Sequence, residues 1–164
     1  MLSKEKYIKL ILNELAYNRE KNKHPLTQLT IHKVIYLVYA YFLAKNIELA
    51  DIEFEAWLYG PVIRELWEKY KSFGSSNINI IYIKELDASY DNLDKNIMNT
   101  IKKICFLLTK MEIFEIVNVI HEQSPWKLIF KPMQNKKITK KDIINYYKKY
   151  DSEIIIYLDN FIMN

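Results

Sequence analysis

The side chains that most often bind metals or attack substrates are scarce in this chain of 164 residues, which has three histidines and one cysteine. The candidates are His24, His32, His121 and Cys105. A structural zinc site needs about four Cys or His ligands, and these residues form neither a CxxC nor an HxxxH pair. Cys105 lies within an apolar helical pattern, where a thiol is a small buried hydrophobe and not a nucleophile. We therefore predict no metal site.

A pair of carboxylates offers a second route to catalysis. The alternation of side chains along a strand places Glu53 and Glu55 on one face, where two carboxyl groups could act as general acid and general base if a concave pocket holds both. Carboxylates on a strand are more commonly solvated. With only two glycines, Gly60 and Gly74, the chain also lacks the clustered glycines of phosphate-binding loops. We predict no catalytic residues, no cofactor and no enzyme activity.

Two charged segments could bind a partner of opposite charge. An acidic band, with no Lys or Arg between residues 46 and 63, could bind a basic partner; it contains Glu48, Asp51, Glu53 and Glu55. The stretch from Lys131 to Lys149 interleaves lysines with tyrosines, so it could neutralise phosphates and stack bases. However, 22 of the 24 basic residues are lysines, and arginine is the better ligand for phosphates and bases. Nucleic-acid binding is therefore an alternative function, and nucleic acid is not our expected partner.

The most specific local pattern is the segment 54–62, Phe-Glu-Ala-Trp-Leu-Tyr-Gly-Pro-Val. It joins a predicted strand to a predicted helix. Gly60 can adopt a positive φ, and Pro61 suits the first position of a helix. Trp57, Tyr59 and Arg64 are of the residue types that form hot spots in protein interfaces. A rigid turn that presents them predicts a protein-binding surface.

Periodicity predicts the elements that position this turn. Apolar residues three and four apart predict helices over residues 4–17, from 27 or 30 to 42, 61–73, 93–108 and 113–120, and a terminal helix from 139. Ser3 is expected to cap the first helix, and Thr27 or Thr30 the second, central one. Ser124 and Pro125 are expected to end the helix that begins at 113, and Thr139 forms a capping-box spacing with Asp142.

Two strands are predicted. Alternation over residues 52–58 places Ile52, Phe54, Ala56 and Leu58 inward, and the β-branched residues of 77–83 predict a second strand, which we expect to pair with the first. The predicted fold is mainly α: a single-domain helical bundle over residues 1–164 with a short β-hairpin or two-stranded sheet, a minor α+β feature. The longest apolar run has 11 residues, too few to span a membrane. The sequence shows no export signal and its lone cysteine cannot form an internal disulfide, so we expect a cytoplasmic protein.

Three blocks of the sequence resemble the Panacea antitoxin domain, also called SocA-like, which is common in bacterial genomes and phages. Residues 29–36, Leu-Thr-Ile-His-Lys-Val-Ile-Tyr, are similar to the family's helical Leu-x-Lys-Leu-x-Tyr pattern. Residues 54–62 match Phe-Glu-Ala-Trp-x-Tyr-Gly-Pro-Val almost residue for residue, and residues 121–127 resemble a closing His-x-x-x-Pro-Trp element. The blocks keep the family's order over residues 29–127. His32 stands where the family more often has Gln.

The resemblance implies a mainly helical domain that binds a cognate toxin protein directly and neutralises it, the toxin being encoded by an adjacent gene. Some members deliver the toxin to a protease. We therefore predict an antitoxin of a bacterial or phage toxin–antitoxin system that acts by protein–protein contact. The residues expected to form or hold the partner-binding surface are Trp57, Tyr59, Gly60, Pro61, Arg64 and Trp126.

Overall fold

The computed structural model of the chain describes residues 1–83, residue 90 and residues 92–164. Within these residues the chain forms eight α-helices and one three-stranded antiparallel sheet. The prediction of a mainly α fold with a minor β component is confirmed. None of the described helices is long and apolar enough to cross a membrane.

The helices are α1 (Lys4–Asn22), α2 (Gln28–Ala44), α3 (Arg64–Tyr70), α4 (Lys95–Lys110), α5 (Ile113–Glu122), α6 (Trp126–Ile129), α7 (Lys140–Lys149) and α8 (Glu153–Met163). The strands are β1 (Phe54–Trp57), β2 (Gly60–Val62) and β3 (Lys137–Ile138), and they lie in the order β2-β1-β3. Short 3₁₀ turns cover Lys71–Phe73 and Ile80–Tyr82.

Helix α2 is the centre of the molecule, as predicted. Its residues from Ile31 to Leu43 are all buried, because α1, α4, α5, α7 and β2 pack around it. A helix that is apolar on every side is stable only in such an enclosed position. The Thr27 side chain accepts a hydrogen bond from the backbone N–H of Thr30, so Thr27 is the cap.

Most helix boundaries follow the local signals. Ser3 caps α1, Thr139 and Asp142 form a complete capping box at α7, and Gly74 with φ +54° ends the turn after α3. At the C-terminus the single predicted helix is replaced by two, α7 and α8, because the backbone at Tyr150 turns to an extended conformation.

The segment around Pro61 differs from its prediction. Pro61 does not begin a helix; it lies in β2, and α3 begins at Arg64. Trp57 pairs with Gly60, so Leu58 and Tyr59 form the two-residue turn of a tight β-hairpin. Ala56 lies opposite Pro61, but its N–H donates to the carbonyl oxygen of Lys136 on the β3 side. Ala56 and Pro61 are therefore a pair that exchanges no backbone hydrogen bonds, and a proline without an N–H fits this position of β2.

The predicted strand over residues 77–83 is wrong. Asn79 accepts a hydrogen bond from the backbone N–H of Ile81 and caps a 3₁₀ turn instead. The position beside β1 that this segment was expected to occupy is taken by β2 on one side and β3 on the other. Its apolar side chains still contribute to the core, since Ile78 and Ile83 are buried.

Candidate functional site

A groove of about 420 Å³ lies between the N-terminal half of α2 and the β1–β2 hairpin. Its walls are mainly apolar and come from four parts of the chain. We call it the hairpin groove; the apolar side chains that line it are Leu29, Trp57, Leu58, Val62, Trp67 and Phe114. Only tertiary packing brings these residues together.

The tip of the hairpin is exposed. Leu58 is 62% and Tyr59 55% accessible to solvent, although both are large and apolar in character. The prediction that Leu58 points inward is wrong, because β1 ends at Trp57 and the alternation of strand side chains stops there. Phe114, at the start of α5, is also exposed, so the apolar surface continues across the groove.

A buried lysine supports the hairpin from below. Lys33 of α2 is fully buried, and its ammonium donates a 2.9 Å hydrogen bond to the carbonyl oxygen of Pro61. Gly60 lies against this side chain with φ +108°, and a Cβ there would approach Lys33 Cε to 2.9 Å. Burial lowers the pKa of Lys33 to about 7. Gly60 and Pro61 are therefore positioning residues, and their own surfaces are buried.

Glu55 holds the outer face of the hairpin to α3. Its two carboxylate oxygens accept hydrogen bonds from Arg64 Nε and Nη2 at 2.8 and 2.7 Å, and one also accepts from the Trp57 indole at 2.8 Å. The Arg64 guanidinium lies over the Trp57 ring at 5.4 Å, and Trp67 packs against the same indole. Burial raises the pKa of Glu55, but the bonds from Arg64 and Trp57 outweigh it and the net pKa is lowered.

Trp126 fixes the hairpin from the other side. Its indole is buried in a stack between His121, at 3.8 Å, and Phe130, at 4.5 Å. The ring N–H donates to the carbonyl oxygen of Trp57 at 2.7 Å. Burial, and secondarily the charge of Lys33, lowers the pKa of His121, so its imidazole is neutral in the stack. Trp126 thus acts indirectly, by holding the strand that precedes the turn.

The two charged segments interact with each other. Lys137 pairs with Glu53 at 3.0 Å, and Lys140 pairs with Glu48 at 3.0 Å. The acidic band and the start of the basic stretch therefore neutralise each other in part, which weakens the case for either as a docking surface for a charged partner. The carboxylates of Glu53 and Glu55 are both engaged in ion pairs, and neither lines the hairpin groove.

Among the predicted site residues, Trp57 and Tyr59 line the groove, while Arg64, Gly60, Pro61 and Trp126 support it. The groove also contains residues that the sequence analysis did not predict as site residues: Gln28, Leu29, His32, Lys33, Leu58, Trp67 and Phe114. The sequence could have indicated Trp67, since a tryptophan on the outward face of a short amphipathic helix is rarely a core residue. Nothing in the sequence indicated Phe114, because its distance from the hairpin depends on the packing of α5.

The structure thus has a hairpin that is held on three sides and carries an apolar tip beside a groove, and one comparison identifies the family of the chain. The family model described as Antitoxin SocA-like, Panacea domain, matches residues 31–127. The match covers more than half of the chain and includes the hairpin, Lys33 and Trp126. The chain therefore belongs to the SocA-like, Panacea family. No curated protein and no solved structure gave a match.

Proposed function

We propose that this protein is the antitoxin of a toxin–antitoxin system and neutralises a cognate toxin protein in the cytoplasm by direct contact. The toxin is encoded by a neighbouring gene. The contact surface is the hairpin tip, Leu58 and Tyr59, together with the hairpin groove beside it. Family membership supports the antitoxin role, and the geometry supports contact as the mode of action.

One observation carries the choice of surface. Two adjacent large side chains, Leu58 and Tyr59, stand in solvent at the end of a hairpin that is held by Lys33, Glu55 and Trp126. A side chain on a rigid support loses little conformational freedom when it binds, so its burial contributes more fully to affinity. Aromatic residues in such positions are typical of interface hot spots.

Co-expression tests the proposal. The product of the neighbouring open reading frame should stop growth when expressed alone, and this chain should restore growth and co-purify with that product in a fixed ratio. A Tyr59→Ser variant should lower the affinity at least about tenfold, as hot-spot residues do. The matched control is Tyr157→Ser on α8, because Tyr157 is also half exposed, at 50%, and does not line the groove.

Two results would overturn the proposal. One is a neighbouring product that is harmless by itself, and the other is a toxin that remains lethal beside this chain. If rescue is seen, repeating it in a strain that lacks ATP-dependent proteases separates two mechanisms. Rescue that persists there shows direct blocking, whereas rescue that disappears shows delivery of the toxin to a protease.

A further inference from the structure

The hairpin groove contains two polar atoms that have no partner in the part of the chain that the structure describes. They are Oε1 of Gln28 and Nε2 of His32, and both are buried. The two residues are 7% and 1% exposed, and both line the groove. A buried polar group without a hydrogen bond is costly, so such atoms in a binding groove indicate a ligand that completes them.

The proton on His32 can be placed. Its Nδ1 accepts a hydrogen bond from the backbone N–H of Ile63 at 3.3 Å, so Nδ1 is unprotonated and the ring proton is on Nε2. Burial and the adjacent Lys33 lower the pKa of His32 well below its usual value, which keeps the ring neutral. The residues that line the groove therefore include one unpartnered donor, His32 Nε2–H, and one unpartnered acceptor, Gln28 Oε1.

A neighbouring donor and acceptor are the chemical complement of a peptide backbone. Gln28 and His32 are four residues apart on α2, so they are neighbours on one face of the helix. In an extended chain the N–H and C=O of a single residue point to the same side and can bond to one partner at once. The apolar walls formed by Trp57, Trp67 and Phe114 suit the side chain of that residue.

We propose that the hairpin groove binds one extended residue of the partner polypeptide, with an apolar side chain in the groove, its N–H donating to Gln28 Oε1 and its C=O accepting from His32 Nε2–H. The inference rests on the proposed function in one respect only, namely that the partner polypeptide is the toxin. A polypeptide is favoured over a small molecule because the exposed apolar surface of Leu58, Tyr59 and Phe114 extends beyond the groove. A small ligand in the groove would leave that surface in water.

A dipeptide analogue tests the inference without the toxin. The probe is N-acetyl-leucine N-methylamide, titrated into the ¹⁵N-labelled protein and followed by NMR. We expect shifts at the amides of Gln28 and His32 and at the indole N–H of Trp57 and Trp67, with a Kd on the order of 1 mM for a ligand of this size. The depsi analogue, with an ester oxygen in place of the leucine N–H, should bind about threefold to tenfold more weakly.

The variant Gln28→Met allows a double-mutant cycle, in which the acceptor on the protein and the N–H of the ligand are removed separately and together. It should bind the amide and its depsi analogue equally, because the acceptor that distinguishes them is gone, and it should melt no lower than wild type, because Oε1 has no partner to lose. The matched control is Gln134→Met in the exposed segment before β3, which should bind like wild type. Shifts outside the groove, or a preference for the amide that survives Gln28→Met, would refute the inference. Because no toxin is used, this failure is distinct from a failure of the proposed function.

Discussion

The indole N–H of Trp126 donates a 2.7 Å hydrogen bond to the main-chain oxygen of Trp57, 69 residues earlier in the sequence. This bond joins α6 to the last residue of β1, directly before the exposed turn. The sheet and the C-terminal half of the chain are thereby connected at the base of the candidate binding tip. The position of the tip depends on groups that no partner needs to touch.

Replacing Trp126 should therefore destabilise the protein. Trp126→Phe keeps an aromatic ring between His121 and Phe130 but leaves the Trp57 carbonyl without its donor, which should cost about 1–3 kcal/mol of unfolding free energy. Urea denaturation measures this. Trp67→Phe removes the same atoms from a half-buried indole, and an equal loss in both variants would show that the hydrogen bond is not the cause.

Gly60 should tolerate substitution less well than Gly74. Both have positive φ, so alanine is strained at either position, but only at Gly60 does the new Cβ meet a neighbour, the buried Lys33 side chain. Gly60→Ala should lower the unfolding free energy by about 1–3 kcal/mol more than Gly74→Ala. Thermal melts of the two variants provide the comparison, and equal losses would contradict the close packing of Lys33 beneath the turn.

Lys33 should make the protein more stable as the pH rises above neutrality. Its pKa in the folded chain is about 7 against a usual 10.5, so between these values the unfolded chain binds a proton that the folded chain does not. Stability then rises with pH, by up to about 1.4 kcal/mol per unit. Denaturation at pH 7, 8 and 9 should show this rise in wild type and a smaller one in Lys33→Met. Parallel curves for the two proteins would show that Lys33 keeps its charge when buried.

Glu55 should contribute stability that is lost in acid. Its net pKa in the folded chain is below the usual 4.5, because bonds from Arg64 and Trp57 outweigh the effect of burial. Its stabilising contribution is complete above the unfolded-state pKa and disappears as the pH falls through the lower, folded-state pKa. Melting temperatures of wild type and Glu55→Gln should therefore converge below about pH 4.5. A constant difference down to pH 3 would mean that the carboxylate is not selectively stabilised.

The segment 54–62 shows how far local reasoning reaches. Its strand β1 and its aromatic side chains follow from composition and alternation and are present in the structure, but the predicted break at Gly60 is not, because Gly60 begins β2 and the turn is at Leu58 and Tyr59. Its hairpin does not follow, because proline after glycine is equally suited to a helix start. In the structure β2 and β3 occupy the two sides of β1, and residues 77–83 lie outside the sheet.

By itself the sequence determined the α-helices with strong 3.6-residue periodicity, the caps at Ser3 and Thr139, the burial of α2 and the likeness to an antitoxin family, because each depends on residues close together in the chain. It left the cap of α2 open between Thr27 and Thr30, and the structure decided for Thr27. Tertiary structure alone decided the strand pairing, the burial of Lys33 beneath Gly60 and the meeting of Gln28, His32, Trp57 and Phe114 around one groove. Those contacts join residues up to about 86 positions apart, from 28 to 114, and the free energy that selects them comes from packing the whole core, which no local pattern contains.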